Sequence, residues 1–225
     1  MIKGVLNMKR IAFILLSLVI AISFASCGKN NSSQTDSSGN SSPAAVTATP
    51  AEIEKKIADA VGADHYLCNT DIEESWLQNS IGLDLSKIES YVAKQNVISS
   101  VNPDTVIVLK VRDGYAAEAV NTLNTNFAQM VSYIRQYPFG TAKVLNGRIY
   151  QSGNYVIYVI AGASYEGEDT EEEAKLALTE YAKIDEAIKS IFGTLPENAA
   201  IVPEESENKG GLIVPDDDDT PIVGG

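Results

Sequence analysis

The sequence predicts an α+β fold, namely a single two-layer domain with a mostly antiparallel sheet of about four strands. Two long helices are expected to cover one face of the sheet, and short helices precede it. Apolar runs rich in β-branched and aromatic residues at 106–111 and 155–160 are typical of strands. Apolar residues recur at spacings of three and four within 116–137 and 170–192, which is typical of helices that bury one side.

Short helices are predicted at the start of the domain. Residues 49–52 form a capping box, because a threonine and a glutamate three residues apart can each accept a backbone N–H. The proline between them suits the first helical position. Residues 70–73 repeat the box and predict a second short helix that carries Trp76 and Leu77.

The first long helix follows a predicted hairpin. The residue types at 102–105 suit a turn, across which the second half of 88–101 is expected to pair with 106–111. Asp113 is the predicted N-cap of the helix, and Pro138 ends it because proline lacks an N–H. The apolar stripe of this helix consists of Ala116, Val120, Leu123, Phe127, Met130, Ile134 and Tyr137.

Two further strands and a second long helix complete the predicted domain. The strands are expected within 142–151 and 155–163, joined by a turn that contains glycine and asparagine. Residues 170–173 form a third capping box, and the helix that they open is expected to end at Gly193. Beyond it the composition returns to proline, glutamate, asparagine and glycine, so residues 196–225 are predicted to be a disordered acidic tail.

Residues 1–27 have the organisation of a bacterial lipoprotein signal peptide. Lys9 and Arg10 precede an apolar run at 11–22, which is short for a bilayer span, and small residues lead to Cys27. This order resembles the lipobox of bacterial lipoproteins, in which the cysteine is acylated and becomes the first residue of the mature chain. We therefore expect lipidation at Cys27.

The N-terminal segment also allows other interpretations. Phe24 stands where a lipobox usually has leucine, so an ordinary signal peptide with a nearby cysteine, or an uncleaved anchor, would also fit. Translation could start at Met1 or at Met8, and the second start gives the more compact signal.

A polar linker connects this segment to the domain. Residues 28–48 are dominated by Ser, Asn, Thr, Gly and Ala, which cannot bury enough apolar surface to offset the entropy of ordering. They are predicted to form a flexible tether with an average span of roughly 25 Å. The folded domain is then expected over residues 49–195, a length sufficient for one hydrophobic core.

The chain is acidic, with 30 Asp and Glu residues against 17 Lys and Arg and a net charge of −13. Such a surface repels nucleic acid and anionic headgroups, so no nucleic-acid partner is expected. Membrane attachment must then come from lipid, and stable attachment takes more than one acyl chain. The expected partners are the membrane, through the lipid on Cys27, and an envelope protein or a cell-wall component.

Residues able to carry chemistry are few. His65 is the single histidine and Cys68 lies three residues further on, so together with Asp64 they could supply a thiol nucleophile and its base. Nothing in the sequence provides an oxyanion hole or an orienting group, and a small buried cysteine is the favoured interpretation. If Cys27 is acylated, Cys68 has no disulfide partner. No catalytic residue, cofactor-binding residue or metal ligand is predicted.

The acidic and aromatic clusters have structural interpretations. The acids at 171–173 suit a helix N-terminus, and the run at 216–219 lacks the loop of an EF-hand, so neither predicts a calcium site. Aromatic side chains are common where proteins bind sugars or other proteins, yet tyrosines on a half-buried strand usually belong to the core. The tyrosines lie at 133, 137, 150, 155, 158 and 165, and the uncharged polar side of the first long helix carries Asn121, Asn124, Asn126 and Gln129.

Several of these features together resemble one known family. The lipobox, the tether, the turn and strand at 101–112 and the strand that begins at 153 are similar to an uncharacterised family of Gram-positive lipoproteins, catalogued as domain of unknown function 4358. The resemblance covers roughly residues 51–165. It implies no activity, ligand or catalytic residue.

Two functions from different classes follow from the sequence. The first is a membrane-anchored bacterial surface lipoprotein, extracytoplasmic and non-enzymatic, that acts as a binding or accessory module of the cell envelope. The alternative is a cell-envelope hydrolase or thiol enzyme that uses Cys68 and His65. The lack of a recognisable nucleophile with its base favours the first.

Overall fold

The computed structural model describes residues 46–98, 102–137 and 140–205. The predicted signal with Cys27, most of the predicted tether, Pro138 and the tail beyond residue 205 lie outside these ranges. Within them, no helix has both the length and the apolar character that crossing a membrane requires.

The elements of the described ranges are, in chain order, α1 (Pro50–Val61), β1 (Thr70–Asp71), α2 (Glu74–Trp76), β2 (Ile88–Gln95), β3 (Thr105–Val111), α3 (Ala116–Ile134), α4 (Thr141–Leu145), β4 (Arg148–Ser152), β5 (Tyr155–Ile160) and α5 (Thr170–Phe192). A π-helical turn, Leu77–Ile81, and a 3₁₀ turn, Leu85–Lys87, connect α2 to β2.

Within the described ranges, the strands form one antiparallel sheet of five strands in the order β1-β2-β3-β5-β4. The predicted α+β class and the antiparallel pairing are confirmed, and β1 is a strand beyond the four expected. The two-layer arrangement needs correction, because helices cover both faces of the sheet. Every residue of β5 is buried, and successive side chains of a strand point to opposite faces, so both faces need a cover.

Two apolar cores lie on the two faces of the sheet. The first contains Phe127 of α3 together with Leu109 of β3. The second contains Ile57 of α1 and Tyr181 of α5 together with Val108 of β3. The alternation along β3 therefore places α3 on one face and α1 with α5 on the other.

The first capping box forms as predicted and the second does not. At the start of α1, the Thr49 N–H donates to Glu52 Oε2 (2.8 Å) and the Glu52 N–H donates to Thr49 Oγ1 (3.3 Å). Thr70–Asp71 instead forms β1, which pairs with Lys94 and Gln95 of β2. Pairing with the backbone of β2 has overridden the local helix signal, and helical structure begins only with α2.

The central hairpin differs from the prediction in its first strand. β2 pairs with β3 along its whole length, but it occupies the first half of 88–101 rather than the second. Val97 and Ile98 follow β2 and are exposed. Asp113 does not cap α3, because its carboxylate accepts a hydrogen bond from Asn154 Nδ2 (2.6 Å) and the N-cap position belongs to Tyr115.

The second half of the domain follows the prediction more closely. β4 and β5 form the expected hairpin, with Gly153 and Asn154 between them. The preceding residues, Thr141–Leu145, form the short helix α4 where a strand was expected. Asp169 rather than Thr170 caps α5, and the helix ends at Gly193 as predicted, in a conformation with φ of +78° that favours glycine.

The described part of the chain continues past residue 195 and packs on the domain. The Ala199 N–H donates to Ile149 O (2.7 Å) and the Ile149 N–H donates to Asn198 Oδ1 (2.9 Å), so residues 198–201 run along the exposed edge of β4. We call this segment the strap. Asn124 of α3 fixes it by donating to Ala199 O (2.9 Å), and its Oδ1 accepts from the backbone N–H of residue 201 (2.8 Å).

Candidate functional site

The structure separates the two residues that the sequence suggested for thiol chemistry. Cys68 is buried and free, and burial raises the pKa of its thiol above the usual range, so the thiolate is disfavoured. His65 is half-exposed, and its Nδ1 lies 3.5 Å from Glu180 Oε2. Among the described residues no hydrogen bond joins His65 to Cys68. The geometry therefore places the histidine against a carboxylate and the cysteine in the second apolar core.

A buried ion pair joins α4 to Asp104, the residue directly before β3. Lys143 Nζ lies 2.5 Å from Asp104 Oδ1 and also donates to Gly162 O (3.2 Å) and Ser164 Oγ (3.0 Å). Its three donors are thus all used. Burial raises the pKa of Asp104 to about 6, although the nearby ammonium opposes the shift, and Asp104 Oδ2 has no partner in the described chain.

Two further buried carboxylates are also paired. Glu180 contacts His65 and accepts a hydrogen bond from Lys183 Nζ (2.6 Å). Glu54 accepts from the hydroxyl of Tyr66 (2.6 Å) and from Lys94 Nζ (3.1 Å). The described residues contain no group of three or more His, Cys, Asp or Glu side chains that could hold a metal ion. These acids accordingly have structural partners rather than the geometry of a metal site.

The acids at 171–173 occupy the first turn of α5, where negative charge is stabilised. Glu173 is buried and accepts a hydrogen bond from the backbone N–H of Ala142 (3.3 Å), which ties α5 to α4. The acidic run at 216–219 lies outside the described residues.

A cavity of about 290 Å³ lies on the α3 face at one end of the sheet. Its floor comes from the sheet, its wall from the second half of α3 and its mouth from α2 and the π-helical turn. The lining side chains are Ile72, Trp76, Ile81, Gln95, Thr105, Asn126, Gln129, Met130, Tyr133 and Tyr158. None of them carries a charge at neutral pH, although the chain as a whole has a net charge of −13.

Several polar groups of this lining have no partner among the described residues. Tyr158 is only 4% exposed, and its hydroxyl makes no hydrogen bond in this part of the chain. Burial raises the pKa of this hydroxyl, so it stays protonated and can donate. Asn126 donates to Ile81 O (2.9 Å), which leaves its Oδ1 as an acceptor, and the side-chain amides of Gln95 and Gln129 have no protein partner there.

Two aromatic side chains stand at the rim of the cavity. Trp76 is 55% exposed and Tyr133 is 39% exposed. Trp76 ends α2, directly before the π-helical turn, and such turns are frequent at functional sites. Large exposed aromatic side chains beside a concave surface are typical of binding sites.

Parts of this cavity are visible in the sequence, but no pattern there joins them. The sequence predicts a short helix that carries Trp76 and an uncharged polar side of the first long helix with Asn126 and Gln129, and it leaves the tyrosines as either binding or core residues. The fold brings these features together, because the second half of α3 lies next to the π-helical turn, where Asn126 donates to Ile81 O.

The fold and the cavity define a three-layered α+β domain with an uncharged concave site. A family model described as domain of unknown function (DUF4358) matches residues 63–161, so the predicted domain is confirmed over this range. The match covers all five strands and α3, and every residue that lines the cavity lies within it. None of the curated proteins and none of the solved structures matches the chain.

Proposed function

We propose that this protein is a lipid-anchored module of the bacterial cell envelope that binds an envelope component without transforming it. The observation that carries this proposal is the uncharged cavity, where open hydrogen-bonding groups face a space that aromatic side chains border. The buried carboxylates Glu54, Asp104 and Glu180, by contrast, each have a basic partner, and none of them lines this cavity. A binding site is therefore better supported than a catalytic one.

The anchor rests on the sequence alone. The cationic start, the apolar run, the small residues and Cys27 have the order of a lipoprotein signal, as in the Gram-positive lipoproteins that the chain resembles. The acidic surface cannot provide electrostatic attachment to anionic lipids. The proposal places the domain outside the cytoplasm, held near the membrane by the tether at 28–48.

The alternative is a cell-envelope hydrolase or thiol enzyme that uses Cys68 and His65. Both residues lie in one short segment between α1 and β1. A thiol nucleophile needs a lowered pKa and a base within hydrogen-bond reach. Because burial raises the pKa of the Cys68 thiol and His65 faces Glu180, the geometry does not favour this alternative.

The anchor is tested by labelling cells with radioactive palmitate. The wild-type protein is expected to incorporate the label and Cys27→Ala to lose it, because the acylated thioether forms on that sulfur. Cys68→Ala is the matched control and should keep the label, since its thiol is buried. Equal labelling of the wild type and Cys27→Ala would reject the anchor.

The binding function is tested by sedimentation of the full-length protein, in mild detergent, with envelopes from cells that lack it. Trp76→Ala is expected to weaken this binding by about tenfold, because tryptophan is one of the residues whose truncation most often removes binding affinity, and its ring borders the cavity. Leu178→Ala is the matched control, since Leu178 on α5 is 57% exposed and lies outside the cavity.

Cys68→Ala should bind as the wild type does. Binding that is equally strong in Trp76→Ala would contradict a role for the cavity. A loss of cellular function in Cys68→Ala, with folding intact, would favour the thiol enzyme instead.

A further inference from the structure

The charge of the cavity restricts its ligand. A carboxylate or phosphate would meet no cationic side chain in the lining, and a cation would meet no carboxylate. Burying an unpaired charge costs free energy because the charge loses its hydration, so both an anionic and a cationic ligand would be disfavoured. The cavity therefore fits a neutral molecule.

The open polar groups indicate how such a molecule would be held. The Tyr158 hydroxyl can donate, Asn126 Oδ1 can accept, and the amides of Gln95 and Gln129 can do both. The Tyr158 side chain is nearly buried and its hydroxyl makes no hydrogen bond with the described residues, so it is available to a ligand in the cavity. The preferred ligand thus carries several donors and acceptors without a charge.

The apolar part of the lining adds a second requirement. Trp76 and Tyr133 offer aromatic faces at the rim, while Ile72, Ile81 and Met130 supply aliphatic surface. A ligand must therefore combine an apolar face with a polar edge. A sugar ring has this character, because its C–H groups lie on its faces and its hydroxyl groups lie around its edge.

An acetamido group on the ring meets the remaining features of the lining. Its amide can pair with a side-chain amide such as that of Gln129, and its methyl group suits the aliphatic surface. From these observations we propose that the cavity binds one N-acetylated sugar unit of an envelope polysaccharide. This inference rests on the proposed binding function and specifies its ligand class.

A free peptide fits the cavity less well. The exposed edges of the sheet, where a peptide strand could add, belong to β1 and β4, and the strap already runs along β4. A free amino acid would bring two charges that the lining cannot pair. These considerations favour the sugar over the peptide.

Trp76 allows a direct test, because it is the only tryptophan of the chain. The full-length protein in mild detergent is titrated with the trimer of N-acetylglucosamine, and binding is followed by Trp76 fluorescence and by equilibrium dialysis of the labelled trimer. A saturable change in both signals is expected. The trimer of glucose, which has the same rings without acetamido groups, should bind about tenfold more weakly.

Two variants separate the site from the fold. Gln129→Ala and Tyr158→Phe are each expected to weaken binding of the N-acetylated trimer by about two- to tenfold, because each removes one hydrogen bond. Gln129 is exposed, so its replacement leaves the core intact. Leu178→Ala should bind the trimer as the wild type does, since Leu178 lies on α5 outside the cavity.

Three results would overturn the inference: no dialysis signal at millimolar trimer, equal binding of the two trimers, or unchanged binding in both cavity variants. Its failure can be distinguished from failure of the proposed function. If envelope binding depends on Trp76 while the trimer does not bind, the sugar is wrong and the binding module stands. If envelope binding is also independent of Trp76, the proposed function fails as well.

Discussion

Phe127→Ala is expected to lower the free energy of unfolding by about 3–5 kcal/mol, because it removes a large buried side chain and leaves a cavity. Phe127 lies fully buried in the middle of α3. Its ring meets that of Tyr158 edge-on, with centroids 6.3 Å apart and an interplanar angle of 74°. A Cβ at Gly147 would come within 2.8 Å of the Phe127 ring, so the backbone before β4 also packs closely against it.

Urea unfolding followed by circular dichroism would measure the effect, and Asn121→Ala provides the control. Asn121 is exposed on the same helix, so its replacement should change stability by no more than about 0.5 kcal/mol. Asn124 is not a suitable control, although the sequence places it on the same polar side, because it holds the strap. Equal losses in Phe127→Ala and Asn121→Ala would contradict the packing of α3 by one side.

Hydrophobic periodicity predicted the elements that are buried along a regular pattern. The stripe of α3 from Ala116 to Ile134 lies in or against the first core, and the continuous apolar run of β5 is buried, since the period of apolar residues reports which side of an element is buried. Tyr137, the last residue of the predicted stripe, lies beyond the end of α3 and outside this core. The number of layers was harder to predict. A run of buried residues in β5 implies cover on both faces, but it does not say which helix lies on which face.

Elements fixed by distant contacts were mispredicted. Thr70 has a good local signal for a helix, yet its segment pairs with β2, where it faces Gln95. Thr141–Leu145 forms a helix whose Lys143 is held by Asp104, a residue 39 positions earlier. The strap depends on Asn124, which is 75 positions from Ala199. No pattern within a short window contains these contacts.

The candidate site was unpredictable for the same reason. Trp76 comes from α2, Gln129 from α3 and Tyr158 from β5, and no motif spacing connects them. The partial signal was the uncharged polar side of α3, because two of its amides, Asn126 and Gln129, line the cavity. The pair of His65 and Cys68 did not indicate the candidate site. The two residues are close in sequence, but Cys68 is buried whereas His65 is half-exposed and faces Glu180.

The buried pair of Lys143 and Asp104 is the second place where a single substitution should have a large effect. Lys143→Met keeps the length of the side chain and removes its charge, which leaves the Asp104 carboxylate buried without a counterion. Breaking a buried pair in this way costs about 3–5 kcal/mol. We therefore expect a loss of this size in the free energy of unfolding at pH 8, measured by urea unfolding.

The loss in Lys143→Met should depend on pH in a defined direction. Burial already raises the pKa of Asp104 to about 6 with Lys143 present, and Lys143 lowers it, so removal of the lysine raises this pKa further. A carboxyl group with a raised pKa in the folded state favours folding below its unfolded pKa, and this stability is lost as the pH rises through the folded value. The defect should thus be smaller at pH 5, where Asp104 binds a proton, than at pH 8.

Lys143→Met combined with Asp104→Leu should recover most of the loss at pH 8, because an apolar pair needs no counterion. A defect that is independent of pH and persists in the double variant would show that Lys143 acts through its contacts with Gly162 and Ser164 instead.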